Sequence, residues 1–265
     1  MKAVKKHTEN KWVRLYIERW LKTPMQMPDG SLQEKTKGTM QGGVISPLLS
    51  NLFLHYVFDT WMQRKHPIKK WCRYADDGLV HCNTESDAKA LFTELEQRFA
   101  ECSLQLHPDK TKIIYCRDKS RKGKYDKTSF DFLGYTFRPR VVKNQKTGEM
   151  FVGFTPAVSK ASKKSIRSKM KLLRCRRKTE LSLEEIADRY NPKLRGWINY
   201  YGRFNRSALY PVLRTFNKTL VDWAMRKYKR FGKGKTQAAR YLMKIAEEKP
   251  ETFVHWEIGM VGSFA

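Results

Sequence analysis

The chain has 265 residues, and its 54 Lys and Arg against 26 Asp and Glu leave a formal net charge of +28; such an excess calls for a polyanionic partner, because each neutralised phosphate releases counterions and the gain accumulates along a nucleic-acid backbone, with an anionic membrane surface as the rival. Forty per cent hydrophobic and 12% aromatic content argues for a folded protein long enough to bury a sizeable core, in one large domain or two smaller ones. No apolar run approaches the roughly 18 residues of a membrane span, the start "MKAVKKHTEN" lacks the apolar centre of a signal peptide, and five cysteines without a C-x-x-C pair fit reduced thiols, so a soluble, cytoplasmic protein with no membrane partner is expected.

Trp12, Leu15, Tyr16, Arg19 and Trp20 recur at helical spacing and predict an amphipathic helix over 10–22. Asp29-Gly30 between short alternating runs predicts a β-hairpin. In "QGGVISPLLSNLFLHYVFDTWM", Ser46-Pro47 reads as a helix start, with Leu48, Leu49, Leu52, Phe53, Tyr56 and Val57 as one packed apolar face. "KWCRYADDGLVHC" reads as strand, tight turn and strand. A helix follows with Leu91, Phe92, Leu95 and Phe99 on one side. "SLQLHPDKTKIIYC" predicts two more strands around a Pro108-Asp109 turn, "RDKSRKGKYDKTS" a charged loop, and "FDFLGYTFRPRVV" and "EMFVGFTP" strands joined by "KNQKTG".

After Pro156 the pattern becomes helical. Residues 156–265 hold 26 Lys and Arg against 9 Asp and Glu, so a boundary there is expected, with a sheet-bearing domain over 1–155 and a more basic helical domain over 156–265. The run from Lys160 to Lys178 carries ten cations and no acid. Ser182 and Glu185 form a capping box, and Leu194, Trp197, Ile198 and Tyr201 sit at i, i+3, i+4 and i+7. The "TQAARYLMKIAEEK" stretch is expected to be the last helix.

The chemistry turns on Asp76 and Asp77. Neighbouring strand residues point to opposite faces, so both carboxylates can serve one metal only if a turn interrupts the strand, and Asp-Asp-Gly supplies turn residues. A surface turn explains that tripeptide by itself. The strand-forming flanks shift the balance, since they imply a partly buried tip whose carboxylates need cations nearby. Hard oxygen ligands of this kind suit Mg²⁺, and carboxylate-bridged divalent ions are an arrangement for phosphoryl transfer.

"QGGVISP", "YADD", "HPDKTK" and "FLGYTF", in that order, resemble the palm of a reverse transcriptase, and more closely that of the reverse transcriptase/maturase proteins of group II introns. The resemblance implies an α+β fold: a partial polymerase palm, with an antiparallel sheet and packed helices, followed by an α-helical thumb/maturase domain. It implies that Asp76 and Asp77 are catalytic metal-binding residues for Mg²⁺. It further implies that Tyr74 and Ala75 lie by the primer end and incoming nucleotide, Gln41, Gly42 and Gly43 by the nucleotide and template, Lys110 near the triphosphate, and that Leu133 and Gly134 hold the primer strand.

"NPKLRGWINYYGRF" is similar to the segment that binds intron RNA. Its Trp197, Ile198 and Tyr201 read as core, whereas Arg195, Asn199 and Arg203 recur on another face as RNA contacts. Lys163, Lys164, Arg167, Lys171 and Arg174 of the basic run are expected to meet RNA phosphates, because so many unpaired cations repel one another without a polyanion.

The family pattern places fingers and a first palm strand, with a third metal-binding aspartate, upstream of these blocks, and residues 1–40 hold no such strand. A C-terminal fragment is therefore expected, its partners being intron RNA, a DNA primer on an RNA template, and an N-terminal fragment supplying the missing parts. No Cys/His endonuclease domain is expected. The alternative is an RNA-binding maturase or splicing factor without polymerase activity.

Overall fold

The computed structural model describes all residues except 35–37, 41, 122, 233, 263 and 265. Helices and small antiparallel sheets alternate in the α+β manner expected, and the chain divides into two compact units, Met1–Ile113 and Ile114–Ala265.

The first unit opens on α1 (Lys2–His7), too short for a periodic signal, which buries Val4. α2 (Lys11–Lys22) starts at Asn10, whose side chain accepts from the Trp12 and Val13 amides at 2.9 and 3.3 Å. The helix matches expectation, but Ile17 is its buried residue, while Trp12, Tyr16 and Trp20 remain exposed. β1 (Met25–Gln26) and β2 (Leu32–Gln33) form the expected hairpin, Gly30 taking φ +85° and Asp29 accepting from Ser31.

α3 (Ser46–Leu54), a π turn over His55–Asp59 and α4 (Thr60–Lys65) make one continuous helical run. Ser46 does not cap it; its Oγ donates instead to the Met40 carbonyl at 2.6 Å, and Pro47 alone keeps its predicted place in the first turn. The apolar face also differs. Leu48 and Phe53 are 63% and 42% exposed, while Leu49 in α3, Val57 and Phe58 in the π turn and Met62 in α4 are buried. Arg98, from α5 (Glu85–Glu101), donates to the carbonyls of Tyr56 and Val57 inside that turn.

β3 (Trp71–Tyr74) pairs antiparallel with β4 (Asp77–Val80). Trp71 and Val80 pack on a cluster of Phe58, Met62 and Leu91, and a second small cluster gathers Val4, Ile17 and Leu49. The strands expected around Pro108-Asp109 are not formed among the described residues. Lys110 and Thr111 amides bond back to His107 in a turn, and the flanking chain has no ladder to join beyond a single Tyr115-to-Lys127 bond.

In the second unit β5 (Phe130–Phe132), β6 (Tyr135–Lys143) and β7 (Met150–Val158) form an antiparallel sheet in that order. Pro156, where composition changes, lies within β7, and the helices follow directly: α6 (Lys160–Leu172), α7 (Leu183–Tyr201), α8 (Tyr210–Lys227), α9 (Lys235–Glu248) and α10 (Val254–Glu257). The capping box is present, with Glu185 N–H on Ser182 Oγ and Ser182 N–H on the Glu185 carboxylate. α7 runs through Pro192, joining two stretches that read separately in the sequence.

A single large core unites Ile186, Leu194, Ile198, Leu213, Phe216, Trp223 and Leu242 from these helices with Val158 of the sheet. α10 extends the helical part past the expected last helix because Val254, His255 and Trp256 complete this core. Among the described residues no helix is long and apolar enough to cross a membrane.

Candidate functional site

The hairpin turn sits at Ala75-Asp76, one residue before the Asp-Asp-Gly expected, because Trp71 opposite Val80 sets the register through their shared burial. Tyr74 is paired with Asp77, and Gly78 lies in β4 opposite Arg73. Ala75 takes φ +52° while Asp76 does not enter the positive region, the pattern of a type II′ turn, whose first central position ordinarily needs glycine.

Cross-strand partners share a face, so Trp71, Arg73, Gly78 and Val80 look toward the helices and Tyr74 and Asp77 look away. Asp76, as a central turn residue, is free of strand alternation. The tip is more open than its flanks suggest: Tyr74, Ala75, Asp76 and Asp77 are all exposed, and among the described residues no hydrogen bond or ion pair occupies either carboxylate.

What holds this tip is Arg73. Its guanidinium makes a fork on Asp59, Nε to Oδ1 at 2.7 Å and Nη2 to Oδ2 at 2.6 Å, with the two side chains only 12% and 15% exposed. Its remaining donors reach the Ala75 carbonyl at 2.7 Å and the Asn51 side chain at 2.9 Å. One arginine thus ties the strained turn to α3 and the π turn. The Arg73 hydrogen bonds hold Asp59 below the usual carboxylate range, against the opposing effect of burial. The sequence offered a signal for this: Arg73 stands two residues from Trp71 on the inward face, where a cation needs an acid.

Gly42 and Gly43 form the tight turn that leads into α3. Gly42 takes φ +83°, and a Cβ on Gly43 would lie 2.6 Å from Ser46 Oγ, so neither position accepts a side chain without change. Gln41 lies outside the described residues. The Arg73–Asn51 bond joins the hairpin to the helix that these glycines precede. Lys110 is exposed on the His107 turn, and no hydrogen bond or ion pair among the described residues links it to the hairpin.

In the second unit Leu133 (φ +49°) and Gly134 (φ +79°) are the two central residues of the β5–β6 turn, a type I′ arrangement. Their carbonyls are taken from the helical side. Tyr200 Oη donates to Leu133 O at 2.9 Å, while Ser162 Oγ and the Ser159 amide donate to Gly134 O, both at 2.9 Å. Tyr135 Oη donates in turn to the Tyr200 carbonyl. Sequence reading missed Tyr200 and Ser162, whose partners lie 67 and 28 residues away.

Lys163 and Arg167 are half-buried on α6, and Lys164 and Lys171 exposed, with Ile166 and Met170 on the core side. Arg174 is exposed just past the helix end, in a left-handed conformation at φ +50°. Arg195 and Asn199 are exposed on α7 and Arg203 just beyond it; Trp197 and Tyr201 pack against the core that buries Ile198.

The donor set at the hairpin tip fits Mg²⁺ in a limited sense. Mg²⁺ is commonly bound through one or two carboxylates plus water and phosphate oxygens, and Asp76 and Asp77 are two adjacent, unpaired carboxylates. Among the described residues no group of three or more His, Cys, Asp or Glu stands together to hold a metal ion.

Comparison with known proteins bears on both units. Residues 1–137 match the family model described as Reverse transcriptase (RNA-dependent DNA polymerase), and residues 163–242 match that described as Group II intron, maturase-specific domain. Protein YkfC of Escherichia coli (strain K12) is 29% identical over 164 residues, which cover 50% of this chain and 40% of that protein. The chain thus spans less than half the length of the curated relative it matches.

Proposed function

The chain belongs to the reverse transcriptase family and carries a group II intron maturase-specific domain, and from that premise we propose that it takes part in RNA-directed DNA synthesis at the Asp76–Asp77 hairpin and binds group II intron RNA through its basic helices. The observation that carries the first part is the open hairpin tip, with two unpaired carboxylates on a turn braced by Arg73. The support for the second is the matched maturase-specific stretch, which takes in α6 and α7.

On this reading residues 1–155 act as a partial palm and 156–265 as thumb and maturase. Asp76 and Asp77 would hold Mg²⁺, which when bound supplies Lewis-acid stabilisation of the attacking and leaving oxygens in phosphoryl transfer. Tyr74 and Ala75 border the primer end and incoming nucleotide. The bare backbone of Gly42 and Gly43, with Gln41, leaves room for a base pair, and Lys110 meets the triphosphate. The Leu133–Gly134 turn supports the primer strand. Lys163, Lys164, Arg167, Lys171, Arg174, Arg195, Asn199 and Arg203 contact RNA.

A two-carboxylate tip under-coordinates a pair of bridged metals, so polymerisation calls for a further carboxylate, which we place on a complementing segment that also brings the fingers. Among the described residues no third ligand stands with this pair, and that favours a second reading, a maturase that binds intron RNA and no longer polymerises. Primer extension on an RNA template in Mg²⁺, with that segment added, separates them. Activity abolished by Asp76→Asn with Asp77→Asn supports the first. No extension in the complemented wild type, with intron RNA binding that survives the double substitution and falls with Arg195→Ala and Arg203→Ala, supports the second.

A further inference from the structure

The basic run of α6 does not stand alone. β6 places Arg138 and Arg140 two residues apart on one face of the sheet, opposite Thr155 and Gly153 of β7. The Arg140 guanidinium donates to the Thr155 carbonyl and, at 3.1 Å, to the Thr136 carbonyl. These are neutral acceptors, so the arginine is anchored without being neutralised. Thr155 itself keeps its hydroxyl buried with no hydrogen-bond partner.

Only Ser159 separates α6 from β7, and the helix is fastened to the β5–β6 turn through Ser159 and Ser162. The next residue, Lys163, is half-buried, and burial holds its pKa down, aided by the charges of Arg167, Arg140 and Arg138. The first turn of the helix holds no acid to offset the positive end of its dipole. The ion pairs of this unit, among the described residues, are Lys178–Glu180 and Lys244–Glu248, so none of the four cations has a carboxylate partner.

We infer that Arg138 and Arg140 of β6, together with Lys163 and Arg167 of α6, form one phosphate-binding site for a nucleic-acid strand, with the sheet contributing half of its charge. Four like charges at a sheet–helix junction repel one another unless an anion lies among them, and a nucleic-acid backbone supplies successive phosphates. This site rests on the reading of α6 as a nucleic-acid surface and extends it to residues outside the helix.

The test measures binding of an end-labelled oligouridine RNA and an oligothymidine DNA over a salt series, using the full chain and its Arg138→Ala, Lys163→Ala and Lys171→Ala variants. Arg138 is exposed, so its variant should melt with the wild type; if it does not fold, Arg138→Gln takes its place. Each of Arg138→Ala and Lys163→Ala is expected to make the salt slope shallower by about 0.7 and to weaken binding about threefold, equally for RNA and DNA. A wild-type slope for Arg138→Ala beside a loss for Lys171→Ala overturns the composite site and leaves the helix reading standing. No change in any variant removes both. A loss confined to RNA moves the contact to the ribose hydroxyls and overturns the phosphate assignment.

Discussion

The guanidinium of Arg73 grips Asp59 through two parallel bonds of 2.7 and 2.6 Å, and the same arginine holds the Ala75 carbonyl. Because both side chains are largely withdrawn from water, losing one partner strands the other. Arg73→Ala and Asp59→Asn are each expected to destabilise the first unit by about 2 kcal/mol at neutral pH, less than a fully buried pair because some solvent remains. Asp59 has a depressed folded pKa, so its contribution is present above the unfolded carboxylate value of about 4 and is lost as pH falls through the lower folded value. Urea midpoints of wild type and Asp59→Asn should therefore converge as the medium is acidified below that point. A constant gap would mean that the ion pair is not the source of the difference.

His255 predicts a second acid sensitivity of the opposite chemical type. Asn217 Oδ1 accepts from His255 Nε2 at 2.6 Å and from Trp256 Nε1 at 3.1 Å, while the Asn217 amide nitrogen donates to the Met260 carbonyl. The proton therefore sits on Nε2, and Nδ1 is buried without a partner. Burial pushes the imidazole pKa down to about 3. Between that value and the unfolded value of about 6.5 the unfolded chain binds a proton that the folded one refuses, so stability falls with pH by up to roughly 1.4 kcal/mol per unit in this window. An NMR titration should show the His255 ring unprotonated down to about pH 4; a midpoint near 6 in the folded chain would refute the assignment.

Ala75 occupies a turn position at φ +52° that suits glycine. Ala75→Gly is expected to raise stability by up to about 1 kcal/mol, read as a higher melting temperature. If the reading of this residue as a neighbour of primer and nucleotide holds, the same variant lowers primer extension in the complemented assay. Greater stability with undiminished extension would separate the strain from the chemistry.

Of the three donors that hold the Leu133–Gly134 turn, the two side chains are of unequal standing. Ser162 is buried, and Ser162→Ala leaves the Gly134 carbonyl with one bond fewer, at an expected cost of about 1 kcal/mol. Tyr200 is 49% exposed, so water replaces its hydroxyl in Tyr200→Phe and the cost is expected to be a few tenths of that. Chemical denaturation of the two variants checks the order, and a larger loss for Tyr200→Phe would contradict it.

The elements read most directly from the sequence are those specified locally. The 11–22 helix follows from spacing, the Ser182–Glu185 box from two side chains three residues apart, and the Asp29-Gly30 hairpin from its turn residues. The ordered blocks around Asp76 located the family from residue identity. What escaped was set by distant partners. Composition favours Asp-Asp-Gly as the turn, but Trp71 and Val80 meeting on Phe58 moved it to Ala75-Asp76. The Leu104 and Leu106 alternation looks like a strand yet has no neighbouring ladder. Arg73 and Asp59, 14 residues apart, are connected only because a helix and a hairpin pack together.

The π turn at His55–Asp59 has a consequence for how this stretch tolerates change in length. A π turn holds one residue more than a regular turn while leaving the helix on either side in nearly the same phase, so a single deletion here that restores regular winding would keep Met62 and the rest of α4 close to their orientation relative to α3, provided that Phe58 and Asp59 are retained for the cluster and the arginine. A one-residue gap within α3 or α4 has no wide turn to absorb it and would rotate everything beyond by about 100°, so it should be far more damaging than the same gap at His55–Asp59.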